Sequence, residues 1–176
     1  FEQTGAVVGG MGVIFLDTDG TAVGATRMAV PDSIVPSHLP NFGSDIASGV
    51  GDLDGDGVPD LFVGASGDDT TGTDDGAAYV LLLNNDGSLK NSFRFDSSTN
   101  GDISPTSGAK LGSGVDFLGD LDGDGYVDFV VGAPLQSASD RGAVFIAFGD
   151  IVGTARCGNG IVEAGEECDG GDDAAD

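Results

Sequence analysis

Two nine-residue stretches place carboxylates at alternate positions of a glycine-rich turn. One runs Asp52-Leu-Asp-Gly-Asp-Gly-Val-Pro-Asp60 and the other Asp120-Leu-Asp-Gly-Asp-Gly-Tyr-Val-Asp128, so both fit Asp-x-Asp-Gly-Asp-Gly-x-x-Asp. The chemistry open to this pattern is coordination of a hard divalent cation. Calcium takes roughly six to eight oxygen ligands at about 2.3–2.6 Å, and alternate residues of a tight loop can all point inward to supply them. The expected ligands of the first site are the side chains of Asp52, Asp54, Asp56 and Asp60 with the carbonyl of Val58. Those of the second are Asp120, Asp122, Asp124 and Asp128 with the carbonyl of Tyr126. Gly57 and Gly125 stand where the loop must turn sharply, which suits a residue without Cβ. Two carboxylates ~5 Å apart repel by roughly 3 kcal/mol at an effective dielectric of ~20, and four make six such pairs. Inward-pointing carboxylates therefore call for an ion. The alternative is a solvated acidic turn, but the pattern occurs twice in register before the same kind of apolar strand, which favours two calcium sites. An EF-hand is excluded, because its loop ends in a bidentate Glu at the twelfth position, where this chain has Val63 and Val131.

The elements that position these loops recur with them. Apolar runs begin at Gly10, Gly76 and Gly142, a spacing of 66 residues, and the stretch after each aspartate loop also repeats, as Leu61-Phe-Val-Gly-Ala65 and Phe129-Val-Val-Gly-Ala133. Asp17-Thr-Asp-Gly20 and Asn84-Asn-Asp-Gly87 each follow an apolar run directly, as hairpin turns do. Within the middle repeat the expected strands are Ile46–Val50, Leu61–Val63, Ala77–Leu83 and Leu89–Phe95. The second and third are apolar on both faces, as strands sandwiched between sheets are. In the fourth, Leu89, Phe93 and Phe95 are expected on one face and Lys90, Ser92 and Arg94 on the other, the cations discouraging edge pairing. No stretch has a helical period. Repeated four-stranded antiparallel sheets of this length read as propeller blades.

The expected fold is thus all-β, a partial β-propeller of about 2.7 repeats. Residues 1–155 carry the blades: a partial one over 1–28, a full one over 42–95 and another over 111–150, with Ile151–Ala155 a candidate fourth strand. Residues 156–176 form an acidic, cysteine-containing tail. Propellers usually close with about four to eight blades, so the set is expected to be open or completed by other blades.

At this point a family resemblance becomes specific. Phe42-Gly43, the aspartate loop and Val63-Gly-Ala-Ser66 together resemble an FG-GAP repeat of the integrin α-chain propeller type. Leu111-Gly112 followed by Val131-Gly-Ala-Pro134 resembles the next, with Leu in place of the usual Phe. The resemblance covers about residues 5–150 and implies extracellular, calcium-stiffened blades used in adhesion or scaffolding. It carries no ligand site across. The C-terminal Cys157-Gly-Asn-Gly-Ile-Val-Glu-Ala-Gly-Glu-Glu-Cys168-Asp resembles the start of a short cysteine-rich repeat of secreted myxobacterial proteins, without its remaining cysteines. A Cys157–Cys168 disulfide is the pairing available within the chain and fits an oxidising setting; two reduced thiols are the alternative, and a zinc site is poor without histidines.

Composition narrows the function classes. Thirty acidic against six basic residues give a net charge of −24. Such a surface repels nucleic acid and anionic lipid. No apolar run reaches the 18 residues of a membrane helix candidate, and the first ten residues lack a signal peptide's pattern. The one histidine, His38, lies in the connector Pro31–Pro40. No Gly-x-Ser-x-Gly elbow or phosphate loop is present, and the paired aspartates are already assigned to metal, so the chain reads as non-enzymatic. The expected function is an extracellular, calcium-stabilised structural or adhesive module of bacterial origin, secreted or at the cell surface, which self-associates head to tail by blade completion into a filament. The alternative is a ligand-binding fragment of a larger closed propeller, an adhesin or lectin-like module for a protein or glycan. The acidic loop Gly67–Gly76 is expected to be solvated, with a further bound cation as the alternative, and Asp17 and Asp19 to be turn residues.

Overall fold

The computed structural model describes residues 11–28, 41–47, 49, 51–98, 105–136 and 141–149. Among these residues every regular element is a β-strand, so no helix is long and apolar enough to cross a membrane. The first sheet pairs β1 (Met11–Leu16) with β2 (Ala22–Met28). The second runs β3 (Phe42–Ala47), β4 (Leu61–Ala65), β5 (Ala77–Leu83) and β6 (Leu89–Phe95) in chain order. The third runs β7 (Gly114–Gly119), β8 (Asp128–Ala133) and β9 (Ala143–Ala147). Among the described residues every pairing between these strands is antiparallel and joins chain neighbours. The architecture is all-β, built from sheets of the propeller-blade type. Candidate strand Ile151–Ala155, the connector with His38, and both cysteines lie outside the described residues.

Hairpin chemistry explains the turns. Gly20 N donates to the Asp17 carbonyl at 2.9 Å and Gly87 N to the Asn84 carbonyl at 2.8 Å, with φ of 84° and 75°. Asp19 accepts from Thr21 N at 2.8 Å, so these aspartates act as turn residues.

Four expectations for the middle sheet are corrected. Its first strand is Phe42–Ala47 rather than Ile46–Val50, because Phe42 pairs with Ala65 and Ile46 with Val63, while Gly49 and Gly51 turn the chain away at positive φ. The next strand continues past Val63 to Ala65, whose partner is Ala77. Leu89 does not share a face with Phe93 and Phe95: a register shift pairs Leu82 with Asn91 but Leu83 with Leu89, so Lys90 bulges out and Leu89 turns to the opposite face. Finally, the Gly67–Gly76 loop is not simply solvated. Asp68 and Asp75 are buried, and Gly76 forms a parallel bridge with Leu111 at the entrance to the third sheet.

Packing follows from the two apolar faces of β4 and β5. Val63, Ala65, Tyr79, Leu81 and Leu83 face the first sheet, where Met11 and Val13 meet them. Phe62, Ala78, Val80 and Leu82 face the third sheet, where Phe129 and Val131 meet them. Phe62 is the hub, its ring centroid 5.0 Å from Phe129 and 5.6 Å from Phe117. Burying one such side chain is worth about 1.5–3 kcal/mol. Backbones also touch: a Cβ on Gly64 would run into the Gly112 carbonyl, and one on Gly112 into the Ala77 carbonyl. Ser44 Oγ donates to that Gly112 carbonyl at 2.8 Å, and Val115 N donates to Asp45 Oδ2 at 2.9 Å. These contacts give adjoining sheets a fixed register, and hence fix the two aspartate loops relative to each other.

Candidate metal centre

Each aspartate loop connects the first two strands of its sheet, β3 to β4 and β7 to β8. The motif's first carboxylate gathers the loop's own amides. Asp52 accepts from Asp56 N at 2.9 Å and Gly57 N at 2.6 Å. Asp120 accepts from Gly123 N, Asp124 N and Gly125 N at 2.7, 2.9 and 2.9 Å. Gly55, Gly57, Gly123 and Gly125 all take positive φ between 78° and 90°, which is why the motif alternates Asp with Gly.

The last carboxylate has a second task that the sequence reading did not foresee. Asp60 is 1% exposed and clasps two distant amides, Leu53 N at 2.7 Å and Leu83 N at 3.0 Å. Asp128, fully buried, repeats this with Leu121 N at 2.6 Å and Gly149 N at 2.9 Å. Each therefore ties the start of its loop to the far end of the third strand of its sheet. Leu83 and Gly149 hold the same place in successive repeats, 66 residues apart, but a backbone amide leaves no mark in residue type, so only the fold brings the contact out. Burial pushes the Asp60 carboxyl above its ordinary range, the two amide bonds pull it back, and nearby Asp54 and Asp52 push it up again.

Carboxylate oxygens converge in both loops. Those of Asp52, Asp54 and Asp60 come within 4.8 Å of one another, as do those of Asp120, Asp122 and Asp124. Asp56 and Asp128 stand outside these two sets. A donor set made only of oxygen suits a hard cation and offers nothing to a soft one. A positive charge is already drawn to the first loop. Lys90 Nζ lies 2.7 Å from Asp54 Oδ2 and 2.6 Å from Asp56 Oδ2. The hydrogen bond it donates holds Asp56 below the usual carboxylate range, and those it donates to Asp54 and Asp56 raise the Lys90 ammonium. Sequence reasoning assigned Lys90 to edge protection; the β6 bulge gives it this other direction.

A second charged cluster sits on the face toward the first sheet. Arg94 reaches buried Asp68 at 3.1 Å and buried Asp96 at 2.7 Å, while Tyr79 Oη donates to Asp68 at 2.6 Å. Burial, then the bond to Asp68, raises the Tyr79 hydroxyl far above its ordinary value. This network anchors the Gly67–Gly76 loop. The loop's other end receives Lys110 N and Leu111 N on the carbonyls of Asp74 and Asp75, at 3.0 and 2.9 Å. Arg94 is thus also more than an edge guard.

With this geometry in hand, comparison with known proteins is informative. The FG-GAP repeat family matches residues 44–81 and 111–146, the segments that carry the two loops and the strands around them. Integrin alpha-PS2 of Drosophila melanogaster is 37% identical over 117 residues, 64% of this chain and 8% of the relative. Integrin alpha-11 of Homo sapiens is 38% identical over 114 residues, 61% of the chain and 8% of the relative. Integrin alpha-4 of Xenopus laevis is 33% identical over 105 residues, 60% and 9% respectively. The chain therefore spans less than a tenth of the length of these curated relatives.

Proposed function

The chain carries two FG-GAP repeats of the kind found in integrin alpha proteins, and from that premise we propose that it supplies calcium-stabilised propeller blades to an extracellular adhesive or structural assembly. The observation that carries this reading is an all-oxygen carboxylate cluster in the same loop of two adjoining sheets, each loop clasped by a buried aspartate. Asp52, Asp54, Asp56 and Asp60 with the Val58 carbonyl would hold one ion, and Asp120, Asp122, Asp124 and Asp128 with the Tyr126 carbonyl the other. When bound, the ion supplies charge neutralisation and a rigid link between two strands. The chain's own residues do the rest: Asp52 and Asp120 set the loop amides, and Asp60 and Asp128 pin the loops to β5 and to the end of β9. Scanning calorimetry in excess calcium and in chelator is the test. At a hundredfold excess over Kd each ion adds about 2.7 kcal/mol to stability; an unchanged Tm overturns the reading.

The outer faces support assembly with further blades. Ile14, Leu16 and Val23 of the first sheet and Val144, Ile146 and Phe148 near β9 are large apolar residues that stand exposed. The third sheet also has an open groove of about 530 Å³ beside Gly132, Pro134, Gly142 and Val144. Gly132 and Gly142 repeat Gly64 and Gly76, the glycines that receive Leu111-Gly112 across the middle interface. The groove thus has the form that accepts the Leu-Gly or Phe-Gly entrance of another blade. That blade belongs to a longer chain in the adhesive propeller, or to a neighbouring copy in a filament. Sedimentation with and without chelator separates the two: calcium-dependent oligomers favour the filament, and a compact monomer in both conditions ends it. A disulfide between Cys157 and Cys168 would accompany an extracellular setting, and free-thiol titration checks it.

A further inference from the structure

Lys90 is the one lysine or arginine among the described residues paired with the first aspartate loop. It comes from β6, two strands away from the β3–β4 connection, and its aim follows from the bulge opposite Leu82 and Leu83. A regular ladder would give Lys90 a cross-strand partner and direct it by the alternation of the strand; as the extra residue, it is released to reach the loop. Its ammonium takes one oxygen of Asp54 and one of Asp56, while Asp54 Oδ1 and Asp56 Oδ1 accept Asp56 N and Val58 N at 3.3 and 2.8 Å. Every oxygen of these two aspartates is thus engaged from within the chain. The Asp54 side chain is 9% exposed and that of Lys90 39%, so the carboxylate is largely covered while the lysine keeps contact with water.

We infer that Lys90 is a tethered counter-ion that sets the cation affinity of the first loop, holding Asp54 and Asp56 in the ion-free chain and yielding them when a divalent ion binds. The inference rests on the calcium reading above and adds a residue outside the motif to it. An ammonium and a calcium ion cannot both claim the same carboxylate oxygens at ligand distance, and two like charges that close repel. Binding at the first loop is therefore an exchange of one cation for another. The exchange keeps the loop formed when calcium is absent, and it weakens the site when calcium is present. A lysine suits this role because its ammonium is a compact charge on a flexible stem that can withdraw into solvent.

The test uses the full chain, calcium alone as the ligand, and the amides of Gly57 and Gly125 as separate reporters of the two loops in a ¹⁵N-labelled titration. Lys90→Met is expected to lower the calcium midpoint at Gly57 by about tenfold and to leave that at Gly125 unchanged. Lys90→Arg, which keeps the charge, is expected to stay near the wild-type midpoint. In the same variants, Lys90→Met lowers Tm in chelator but not in saturating calcium. A Gly57 midpoint that stays or rises in Lys90→Met overturns the inference. So does an equal loss of Tm with and without calcium, which marks Lys90 as a plain structural link. If neither glycine amide responds to calcium in the wild-type chain, the calcium reading itself has failed and the inference falls with it, an outcome distinct from a response that Lys90→Met does not move.

Discussion

The two aspartate loops share a motif, a glycine pattern and a buried clasp, yet they are not the same site. In the first, the converging carboxylates include the clasp residue Asp60; in the second, they are the three forward aspartates, and Asp128 stands apart. The first is crossed by a lysine from a fourth strand. The third sheet has three strands among the described residues, and β6 has no counterpart in it there. A nine-residue motif therefore specifies the fold of its loop but not the charge it meets. In the first loop that charge comes from β6, the strand packed outside it.

The largest effects at the loops should come from the feature they share. Asp60→Ala leaves the amides of Leu53 and Leu83 without their acceptor, and Asp128→Ala does the same to Leu121 and Gly149. Leu83 N and Gly149 N are the buried donor of each pair; a buried donor left unpaired costs about 1–3 kcal/mol, so each variant should lose about 2 kcal/mol in urea unfolding in chelator. Near-equal losses would show the clasps to be equivalent. A much smaller loss for Asp60→Ala would mean that Lys90 holds the first loop closed by itself and would break the comparison at its common point.

Whether the repeats differ only at their loops can be tested at equivalent glycines. Gly43 and Gly112 occupy matching places with φ of 83° and 81°. A Cβ on Gly112 meets the Ala77 carbonyl and Ala65 N, whereas among the described residues nothing stands within reach of one on Gly43. Gly112→Ala should cost about 3 kcal/mol, since backbone cannot yield as a side-chain tip can. Gly43→Ala should cost about 1 kcal/mol, the conformational part alone. Thermal unfolding in saturating calcium reads both. Equal losses would show that Gly43 meets a neighbour as close as the one Gly112 meets.

Much of this was legible in the sequence. The repeat, the all-β class, the hairpin aspartates and the loops follow from local rules: alternating Asp and Gly needs no tertiary partner to make a turn. The strand ends and the reach of the cations were not legible, for a common reason. Phe42 joins its strand because Ala65 pairs with it, and Leu89 and Lys90 change direction because of one bulge; both depend on a neighbour across the ladder. The Gly67–Gly76 loop looks like an acidic surface segment by composition. It is half-buried because Arg94, Tyr79 and the entrance to the next sheet close over it. Asp60 and Asp128 read as ligands because their spacing fits, and their second role appears only when the end of the third strand is brought beside them.

The smallest effect separates the loops most directly. Asp54→Asn and Asp122→Asn remove the same carboxylate from the two motifs. In the calcium-free chain, Asp122→Asn relieves repulsion with Asp120 and Asp124, whose oxygens lie within 4.8 Å. Its Tm in chelator should therefore rise by about 1–2 °C. Asp54→Asn relieves repulsion with Asp52 and Asp60 too, but it also takes away one of the two carboxylates that hold Lys90. The two terms oppose each other, and its Tm in chelator should stay where it is or fall. In saturating calcium both variants should lose stability, since each deletes a ligand charge. The contrast in chelator is thus the informative one: opposite responses of matched substitutions would show that one loop carries its own counter-ion, and identical rises would show that the ammonium contributes nothing to the ion-free fold.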